Sequence, residues 1–292
     1  MKNKELDIII LGGGPAGAQC ALWVHHLGYK TVIIEKDQLG GLQSTSPYKN
    51  NWLVTNEEAS GIEIAENIKI NIKKNNIPVE KNQGDIFIVR DNEYIKIKGE
   101  KFSYSAKFLV IATGTVPRDG GIKKDNKIII GPGAQIENID FSNKSVAILG
   151  GGDNAVENYL FIKEKNPKLI QIYARHIRAR KNLYSFIEKN SVYIGEYGYK
   201  NGKIESQLGS VSYDIIIVLY GWKANYPEEF VKNYDIQITS ESFIKVDNFC
   251  KTSMDNVYAI GDVTHRNHPS VATAIADGVI AAKDICDRLE KL

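Results

Sequence analysis

Apolar runs that stop at glycine mark the start of the chain. The run Leu6–Leu11 ends at Gly12, and Pro15–Leu27 has helical character, with its proline in the first turn, where a missing N–H costs nothing. Thr31–Ile34 is a second apolar run. Short runs that are apolar throughout are typical of strands covered on both faces. The pattern therefore predicts a buried strand, a helix and a second buried strand.

Short segments separated by polar turns follow. Ile86–Val89, Tyr94–Lys98 and Lys101–Tyr104 have the length and spacing of a meander of antiparallel strands. Phe108–Ile111 is again apolar throughout and leads into Ala112-Thr113-Gly114. We predict that this last segment is again a buried strand.

The strand–helix–strand pattern occurs a second time. Ser145–Leu149 ends in glycines, a helix is predicted from about Asn154 to Glu164, and Leu169–Tyr173 is the next strand. The remaining predicted elements are a helix near Asn182–Lys189, a hairpin that turns at Asn201-Gly202, strands Ile215–Leu219 and Val257–Ile260, and a helix from about Val271 to Leu289.

The repeat predicts two domains of the α/β class. Thr115–Gly121 and Thr239–Ser242 are small, polar or turn-rich and are the expected linkers. We therefore predict two Rossmann-like, three-layer nucleotide-binding domains, with the second (118–241) inserted in the first (1–117 and 242–292).

Composition narrows the class of protein. A length of 292 residues suits two domains, and a net charge of +2 gives no reason to expect nucleic acid as a partner. No apolar stretch approaches the roughly 18–20 residues that span a bilayer. The three cysteines, Cys20, Cys250 and Cys286, are far apart in sequence, which favours packing roles in a reducing compartment. We expect a cytoplasmic protein.

The first glycine motif predicts a dinucleotide site. Gly12-Gly13-Gly14-Pro15-Ala16-Gly17 fits G-x-G-x-x-G between a strand and a helix, where glycine permits the tight turn and lets backbone approach a pyrophosphate. Glu35 ends the next strand, which is where a carboxylate accepts hydrogen bonds from an adenosine ribose.

The second motif, Gly150 to Ala155, is the alanine-ended form G-x-G-x-x-A. Arginines rather than an acid follow its second strand, at Arg175, Arg178 and Arg180. Guanidinium groups suit a 2′-phosphate, so we predict NADPH, with NADH the weaker alternative. Two other interpretations stay open: a solvated basic face, and a docking patch for an acidic protein.

Together these motifs resemble the low-molecular-weight thioredoxin reductase superfamily over nearly the whole chain. The marks of the resemblance are Gly12–Gly17, Glu35, Gly40-Gly41, Asn51-Trp52, Ala112–Gly114, Gly150–Glu157, the arginines after Tyr173, and Ala259–Val263. The resemblance implies FAD in the first domain, NADPH in the second, and a homodimer.

The resemblance also implies residue roles. Asp262 would contact FAD hydroxyls, and Ser270–Ala272, at a helix start, would face the pyrimidine end of the flavin. The implied FAD-binding residues are Gly12, Gly14, Pro15, Ala16, Gly17, Glu35, Lys36, Gly40, Gly41, Gln43, Asn51, Ala112, Thr113, Gly114, Gly261, Asp262, Ser270, Val271 and Ala272. The implied NADPH-binding residues are Gly150, Gly152, Asp153, Asn154, Ala155, Arg175, His176 and Arg178.

The chain departs from its relatives at the redox centre. Thioredoxin reductases carry a CxxC shortly before the second glycine motif, and this chain has Gly131–Ile136 there without cysteine. Bacillithiol-disulfide-reductase-like relatives place a cysteine in the first motif, where Pro15 and Ala16 stand here. The histidine-arginine-arginine cluster of the family is altered to Ala174-Arg175-His176. A dithiol relay cannot operate without sulfur.

We therefore predict an FAD enzyme that passes electrons from NADPH directly to an acceptor, with ferredoxin or flavodoxin first and a quinone or small molecule next. One alternative is a disulfide reductase that uses external thiols, and another is a non-catalytic flavin-binding sensor or scaffold. The candidates for proton relay or flavin stacking are His265, His268 and Tyr48.

Overall fold

The computed structural model describes residues 4–50, 53–56, 58–132, 136–265 and 268–292. The helices are α1 (Pro15–His26), α2 (Gly61–Lys74), α3 (Asp153–Lys163), α4 (Lys181–Tyr184), α5 (Glu228–Asn233) and α6 (Val271–Leu289). The strands are β1 (Lys4–Leu11), β2 (Thr31–Glu35), β3 (Val79–Lys81), β4 (Phe87–Asp91), β5 (Tyr94–Lys98), β6 (Ser103–Ile111), β7 (Thr115–Pro117), β8 (Ile128–Ile130), β9 (Ser145–Leu149), β10 (Leu169–Ala174), β11 (Val192–Ile194), β12 (Tyr197–Lys200), β13 (Lys203–Ser206), β14 (Gly209–Ser212), β15 (Ile215–Val218), β16 (Trp222–Ala224) and β17 (Val257–Ala259).

The chain divides into two compact units. The first comprises Met1–Thr115 and Lys223–Leu292, and the second comprises Val116–Trp222. The chain thus leaves the first unit after Thr115 and returns to it at Lys223. The return point differs from the expected residue 242. Phe230 and Ile236 pack into the core of the first unit, and long-range apolar packing of this kind leaves no local mark in the sequence.

A mixed sheet forms the centre of the first unit, in the order β3-β2-β1-β6-β5-β4. β6 is the longest strand and has two kinds of neighbour on one side. Its first half pairs antiparallel with β5, with Ala106 opposite Ile95, and its second half pairs parallel with β17, with Leu109 opposite Val257. The predicted separate strands Lys101–Tyr104 and Phe108–Ile111 are thus one strand.

Helices α1 and α6 cover one face of this sheet and approach each other closely. A Cβ placed on Gly278 would lie 2.5 Å from the Ala16 carbonyl oxygen, so α6 requires glycine at the crossing. Around the crossing lies a core that includes Ile8, Phe108 and Tyr258. The helix Val271–Leu289 has its predicted bounds.

The second unit contains a parallel sheet in the order β11-β10-β9-β15-β8. Alternate residues of β9 enter different cores: Val146 packs on the side of α3, and Ala147 packs with Ile204 of the antiparallel meander β12-β13-β14. The unit therefore has three layers, helix, sheet and meander, and the predicted α/β class is confirmed.

Other differences are local. The predicted helix Asn182–Lys189 reduces to α4 and a 3-10 turn at Lys189–Ser191, and helix α2 and strand β8 were not predicted. Within the described residues, no helix combines the length and the apolar character needed to cross a bilayer.

Candidate functional site

The carboxyl ends of four parallel strands meet at one edge of the sheet of the first unit. In the register of the sheet, Leu11 lies opposite Ile34 on one side and Ile111 on the other, and Ile111 lies opposite Ala259. Glu35 is the last residue of β2, and the glycine motif, Ala112–Gly114 and Gly261-Asp262 follow the ends of the other three strands. Ligands of open α/β sheets bind at this edge.

Two glycines of the first motif are required by the fold itself. A Cβ on Gly12, where φ is +97°, would lie 2.4 Å from the carbonyl oxygen of Ala112. A Cβ on Gly17 would lie 2.0 Å from the carbonyl oxygen of Gly12. These glycines let β1, β6 and α1 approach one another. The fold alone explains them, so they are not evidence for a ligand.

Gly14 has a different reason to be glycine. Its φ is −69°, which any residue adopts, and the nearest atom to an added Cβ is the Cα of Gly41 at 3.9 Å. The fold would thus accommodate alanine at this N-cap of α1. Glycine there keeps the backbone N–H groups at the helix start open to a pyrophosphate, as FAD requires.

Glu35 connects the second strand to the glycine loop. Its Oε2 accepts the N–H of Gly13 at 2.6 Å, and its Oε1 accepts the N–H of Asp37 at 2.9 Å. The side chain is 8% exposed, and each carboxylate oxygen keeps one acceptor site. Glu35 therefore orders the loop and can still accept a bond from a ribose hydroxyl.

A buried polar atom without a partner lies at the end of β6. Among the described residues, the Thr113 hydroxyl is one of three buried side-chain polar atoms that lack a hydrogen bond. Buried hydroxyls are normally paired, so an unpaired one at this sheet edge fits a missing ligand. The open Gly14 and the unpaired Thr113 together fit the presence of FAD in the first unit.

The last predicted FAD segment is a turn followed by a capped helix. Gly261 has φ +72° and donates its N–H to the buried carboxylate of Asp277 at 3.1 Å. Burial raises the pKa of the neighbouring Asp262 carboxyl, and the negative Asp277 raises it further, while His265 lowers it. Ser270 caps α6 by accepting the N–H of Thr273 at 3.2 Å.

The remaining predicted FAD residues are placed as follows. Gly40 is buried at φ +100° and donates its N–H to the Gly13 carbonyl at 2.8 Å, and Gly41 begins a 3-10 turn. Gln43 is half-buried, Lys36 and Ala272 are exposed, and Val271 is buried. Asn51 lies outside the described residues.

The three candidates for chemistry differ in their surroundings. Tyr48 is half-buried, and its carbonyl accepts the N–H of Gly61 at 3.2 Å. His265 and His268 are both exposed and both have left-handed backbone, at φ +47° and +43°. The ring of His265 stacks on Phe243 with 4.5 Å between centroids.

The glycine loop of the second unit resembles that of the first: some of its glycines lie against backbone, and one at a helix N-cap is open. A Cβ on Gly150 would lie 2.3 Å from the Leu219 carbonyl oxygen, and one on Gly151 would lie 2.2 Å from that of His176. Gly152, the N-cap of α3, has φ −93° and no atom within 4 Å of an added Cβ. The open position again faces the start of a helix, next to Asp153, Asn154 and the buried Ala155.

The arginines after β10 have different partners. The Nε of Arg175 lies 3.4 Å from a carboxylate oxygen of Glu196. Arg180 donates from its backbone N–H and from its Nε to Asp153, each over 2.8 Å. Within the described part of the chain, Arg178 alone of the three has no carboxylate at ion-pair distance, and its side chain is exposed.

The arginine loop is tied to the glycine loop through backbone. The N–H groups of Arg178 and Ala179 donate to the Gly151 carbonyl at 2.6 and 2.9 Å. This matches the bond from Gly40 to Gly13 in the first unit. Arg178 is therefore held beside the glycine motif, and no carboxylate of the described residues lies at ion-pair distance from its guanidinium.

All three cysteines lie in one core cluster of the first unit, around α1 and α6. Each is almost completely buried, at 0% for Cys20, 0% for Cys250 and 2% for Cys286. Burial raises the pKa of the Cys20 thiol far above its ordinary value and that of Cys286 to about 11. Thiols of this kind are inert, so the predicted packing roles agree with their environment.

Two glycine turns, each between a parallel strand and a helix, define a protein that binds two dinucleotides. The chain belongs to the pyridine nucleotide-disulphide oxidoreductase family, whose model matches residues 6–278. It is therefore an NAD(P)H-dependent FAD oxidoreductase of the thioredoxin reductase type, and this family uses FAD and NADPH.

Individual proteins support this assignment. The chain is 25% identical to the thioredoxin reductase of Borreliella burgdorferi, over 98% of this chain and 94% of that protein. It is 28% identical to that of Peptoclostridium acidaminophilum, over 94% of each. The solved thioredoxin reductase of Lactococcus lactis superposes with a TM-score of 0.83 at 23% identity, covering 98% of this chain and all of that one. This match confirms the two Rossmann-like domains.

A bacillithiol disulfide reductase shares the fold as well. The enzyme from Staphylococcus aureus has a TM-score of 0.80 at 16% identity, over 98% of this chain and 99% of that one.

Proposed function

We propose that the protein oxidises NADPH and passes the electrons through bound FAD directly to an external acceptor, without a protein dithiol. The cysteines carry this proposal. They number three, none lies in Gly131–Ile136, and all are buried in the first unit. Burial raises the pKa of the Cys20 and Cys286 thiols well above neutral pH. The electrons therefore need an exit that does not use protein sulfur.

FAD would supply the redox chemistry, since its ring accepts a hydride and releases electrons to an acceptor. The chain would bind the FAD and fix its orientation. The N-terminus of α1 with the open Gly14 would hold the pyrophosphate, and Glu35 would hold the ribose. The start of α6, capped by Ser270, would present its positive dipole end to the pyrimidine portion of the ring.

Arg178 is the residue we assign to the choice of NADPH over NADH. A 2′-phosphate needs a permanent positive charge that is not already neutralised. Arg175 and Arg180 pair with Glu196 and Asp153, whereas the exposed Arg178 is free of carboxylates in the described chain. The backbone bond from Arg178 to Gly151 supports this assignment, because Gly151 belongs to the glycine turn that would hold the pyrophosphate.

The acceptor we place first is a ferredoxin or flavodoxin, followed by a quinone and a small disulfide or other oxidant. A direct exit from the flavin suits carriers that need no thiol exchange. The fold similarity to bacillithiol disulfide reductases keeps a small disulfide among the candidates, which would be reduced with external thiols. Each class is tested as an NADPH-dependent activity of the purified protein.

The decisive experiment is an anaerobic NADPH titration of the FAD-bound protein, followed by flavin absorbance. We expect full bleaching near one equivalent of NADPH per FAD. A requirement for two equivalents would reveal a reducible disulfide and overturn the dithiol-free scheme. Absence of bleaching would overturn the reductase proposal and favour a flavin-binding sensor or scaffold.

A matched pair of variants tests the second site in the same assay. Gly152→Leu fills the open N-cap of α3 and should slow reduction strongly. Gly198→Leu, at a position with equally open space on the meander, should leave reduction unchanged.

We further propose a homodimer, as is usual for thioredoxin reductases. Light scattering during gel filtration should give twice the chain mass of 32.6 kDa. A mass of one chain would contradict this assembly.

A further inference from the structure

The arginine loop, residues 175–180 between β10 and α4, lies directly on the second glycine turn. The N–H groups of Arg178 and Ala179 donate to the Gly151 carbonyl at 2.6 and 2.9 Å. A Cβ on Gly151 would lie 2.2 Å from the His176 carbonyl oxygen, so backbone meets backbone here. The path of this loop therefore depends on how it is fastened to the glycine turn.

Alternating residues give the loop an apolar side and a charged side. Ile177 and Ala179 are partly buried and pack against the core cluster to which α3 contributes Ala155. Arg178 and Arg180 alternate with them and are exposed. The packing thus directs both guanidinium groups away from the core.

One acid fastens the end of the loop to the start of α3. Asp153 is the first residue of this helix, and its Oδ1 accepts the backbone N–H of Arg180 at 2.8 Å. Its Oδ2 accepts from the Nε of the same arginine, also at 2.8 Å. Both oxygens of one carboxylate are thus used on one residue, which fixes the backbone of Arg180 as well as its side chain.

The position of Asp153 is unfavourable for an acid that faces a nucleotide. A carboxylate in the first turn interacts well with the helix dipole, but the same helix start would hold the negative pyrophosphate. An acid that acted only through its charge would weaken nucleotide binding, and it would weaken binding of NADPH more than that of NADH, because NADPH has one phosphate more. A role in loop structure would have the opposite effect on this preference.

We propose that Asp153 is a positioning residue: through Arg180 it clamps the arginine loop to the glycine turn, and this clamp places Arg178 to bind the 2′-phosphate of NADPH. In this scheme Asp153 itself contacts no phosphate. The inference rests on the proposed function, because it takes Arg178 as the ligand of the 2′-phosphate.

The first measurement follows the clamp without any nucleotide. Hydrogen–deuterium exchange of the FAD-bound protein is measured by mass spectrometry on peptides that cover residues 175–181. Asp153→Ala should speed exchange there by about fivefold, because the Arg180 N–H loses its acceptor. Asp153→Asn keeps an acceptor oxygen and should exchange at nearly the native rate. Unchanged exchange in Asp153→Ala would overturn the proposal.

The second measurement compares the affinities for NADP⁺ and NAD⁺, which do not reduce the flavin, by titration calorimetry. The preference is the ratio of the Kd for NAD⁺ to the Kd for NADP⁺. Asp153→Ala should lower this ratio by about fivefold, because the loop no longer holds Arg178 in place. Asp153→Asn should recover part of the preference. A ratio that stays the same or rises in Asp153→Ala would overturn the clamp and indicate charge repulsion instead.

A double substitution tests whether Asp153 acts through Arg178. Arg178→Ala alone should lower the preference for NADP⁺, and addition of Asp153→Ala should then change the ratio little. Additive effects of the two substitutions would overturn the proposal.

Glu188→Ala is the matched control. It removes another carboxylate that pairs with α3, at 2.6 Å from Lys163, and it should leave the ratio unchanged. An equal loss of preference in this variant would overturn the specific role of Asp153. A native ratio near one would contradict the proposed use of NADPH, whereas the exchange measurement, made without nucleotide, reports on the clamp separately.

Discussion

The backbone N–H of Gly13 donates to Oε2 of Glu35 over 2.6 Å, so the acid at the end of β2 holds the glycine loop as well as facing the predicted ribose. The second oxygen of Glu35 accepts from Asp37 at 2.9 Å. One side chain thus serves two purposes, the shape of the loop and recognition of the ligand. A substitution of Glu35 should therefore affect both stability and FAD binding.

We expect Glu35→Ala to lower stability and FAD retention together. The substitution leaves the buried Gly13 N–H without its acceptor, and an unsatisfied buried group costs about 1–3 kcal/mol. The Asp37 N–H also loses its acceptor, but Asp37 is exposed, so water can replace it. Calorimetry of the FAD-free proteins should show the loss of stability. Glu35→Gln keeps one acceptor oxygen and should lie between the native protein and the alanine variant. Equal stability of all three would contradict the role in loop structure.

Gly14→Ala and Gly12→Ala should fail in different ways. At Gly12 the left-handed backbone and a Cβ 2.4 Å from the Ala112 carbonyl oxygen should prevent correct folding. At Gly14 the fold has space, so the protein should fold with native circular dichroism but bind FAD at least tenfold more weakly, because the Cβ occupies the path of the pyrophosphate. Native FAD affinity of Gly14→Ala would show that this loop does not bind a pyrophosphate.

Arg178→Ala should raise the KM for NADPH by about tenfold or more and leave that for NADH nearly unchanged, because only NADPH has the 2′-phosphate. Arg175→Ala is the matched control and should have the smaller effect, since Glu196 already pairs with Arg175 at 3.4 Å. Steady-state reduction of ferricyanide with each nucleotide measures both. A larger effect at Arg175 would reverse the assignment of the phosphate ligand.

The cysteines should not react with a disulfide reagent in the folded protein. The pKa of Cys286 is raised to about 11, so its thiolate forms only as the pH approaches that value, and Cys20 is raised further. At pH 8 the native protein should release almost no thionitrobenzoate from Ellman's reagent, whereas the denatured chain should release three equivalents, one for each cysteine.

Replacement of Cys20, Cys250 and Cys286 by alanine or serine should leave flavin reduction by NADPH intact. At each position, alanine or serine should be chosen by how well it packs in place of the thiol, because all three cysteines lie in the core cluster around α1 and α6. Loss of reduction in a correctly folded triple variant would show that a thiol takes part.

Local sequence determined the two nucleotide turns. A buried strand, a run of glycines and a helix form a signal within about 20 residues, because the turn and the helix start depend on neighbouring residues. Helix α2 was also signalled, by the capping pair Ser60 and Glu63, though it was not predicted. The length of α6 was predicted correctly because its apolar spacing continues to Leu289.

Tertiary structure decided what the local pattern left open. It separated Gly14 and Gly152, which have open space, from Gly12 and Gly150, which lie against backbone distant in sequence. It gave Arg175 and Arg180 carboxylate partners and left Arg178 exposed.

Long-range packing also assigned whole segments. Residues 223–241 belong to the first unit, whereas the sequence analysis assigned them to the second. Three cysteines from distant segments lie in one core. Each of these outcomes depends on contacts between residues far apart in the chain, and the free energy of such contacts comes from burial, which a local pattern does not specify.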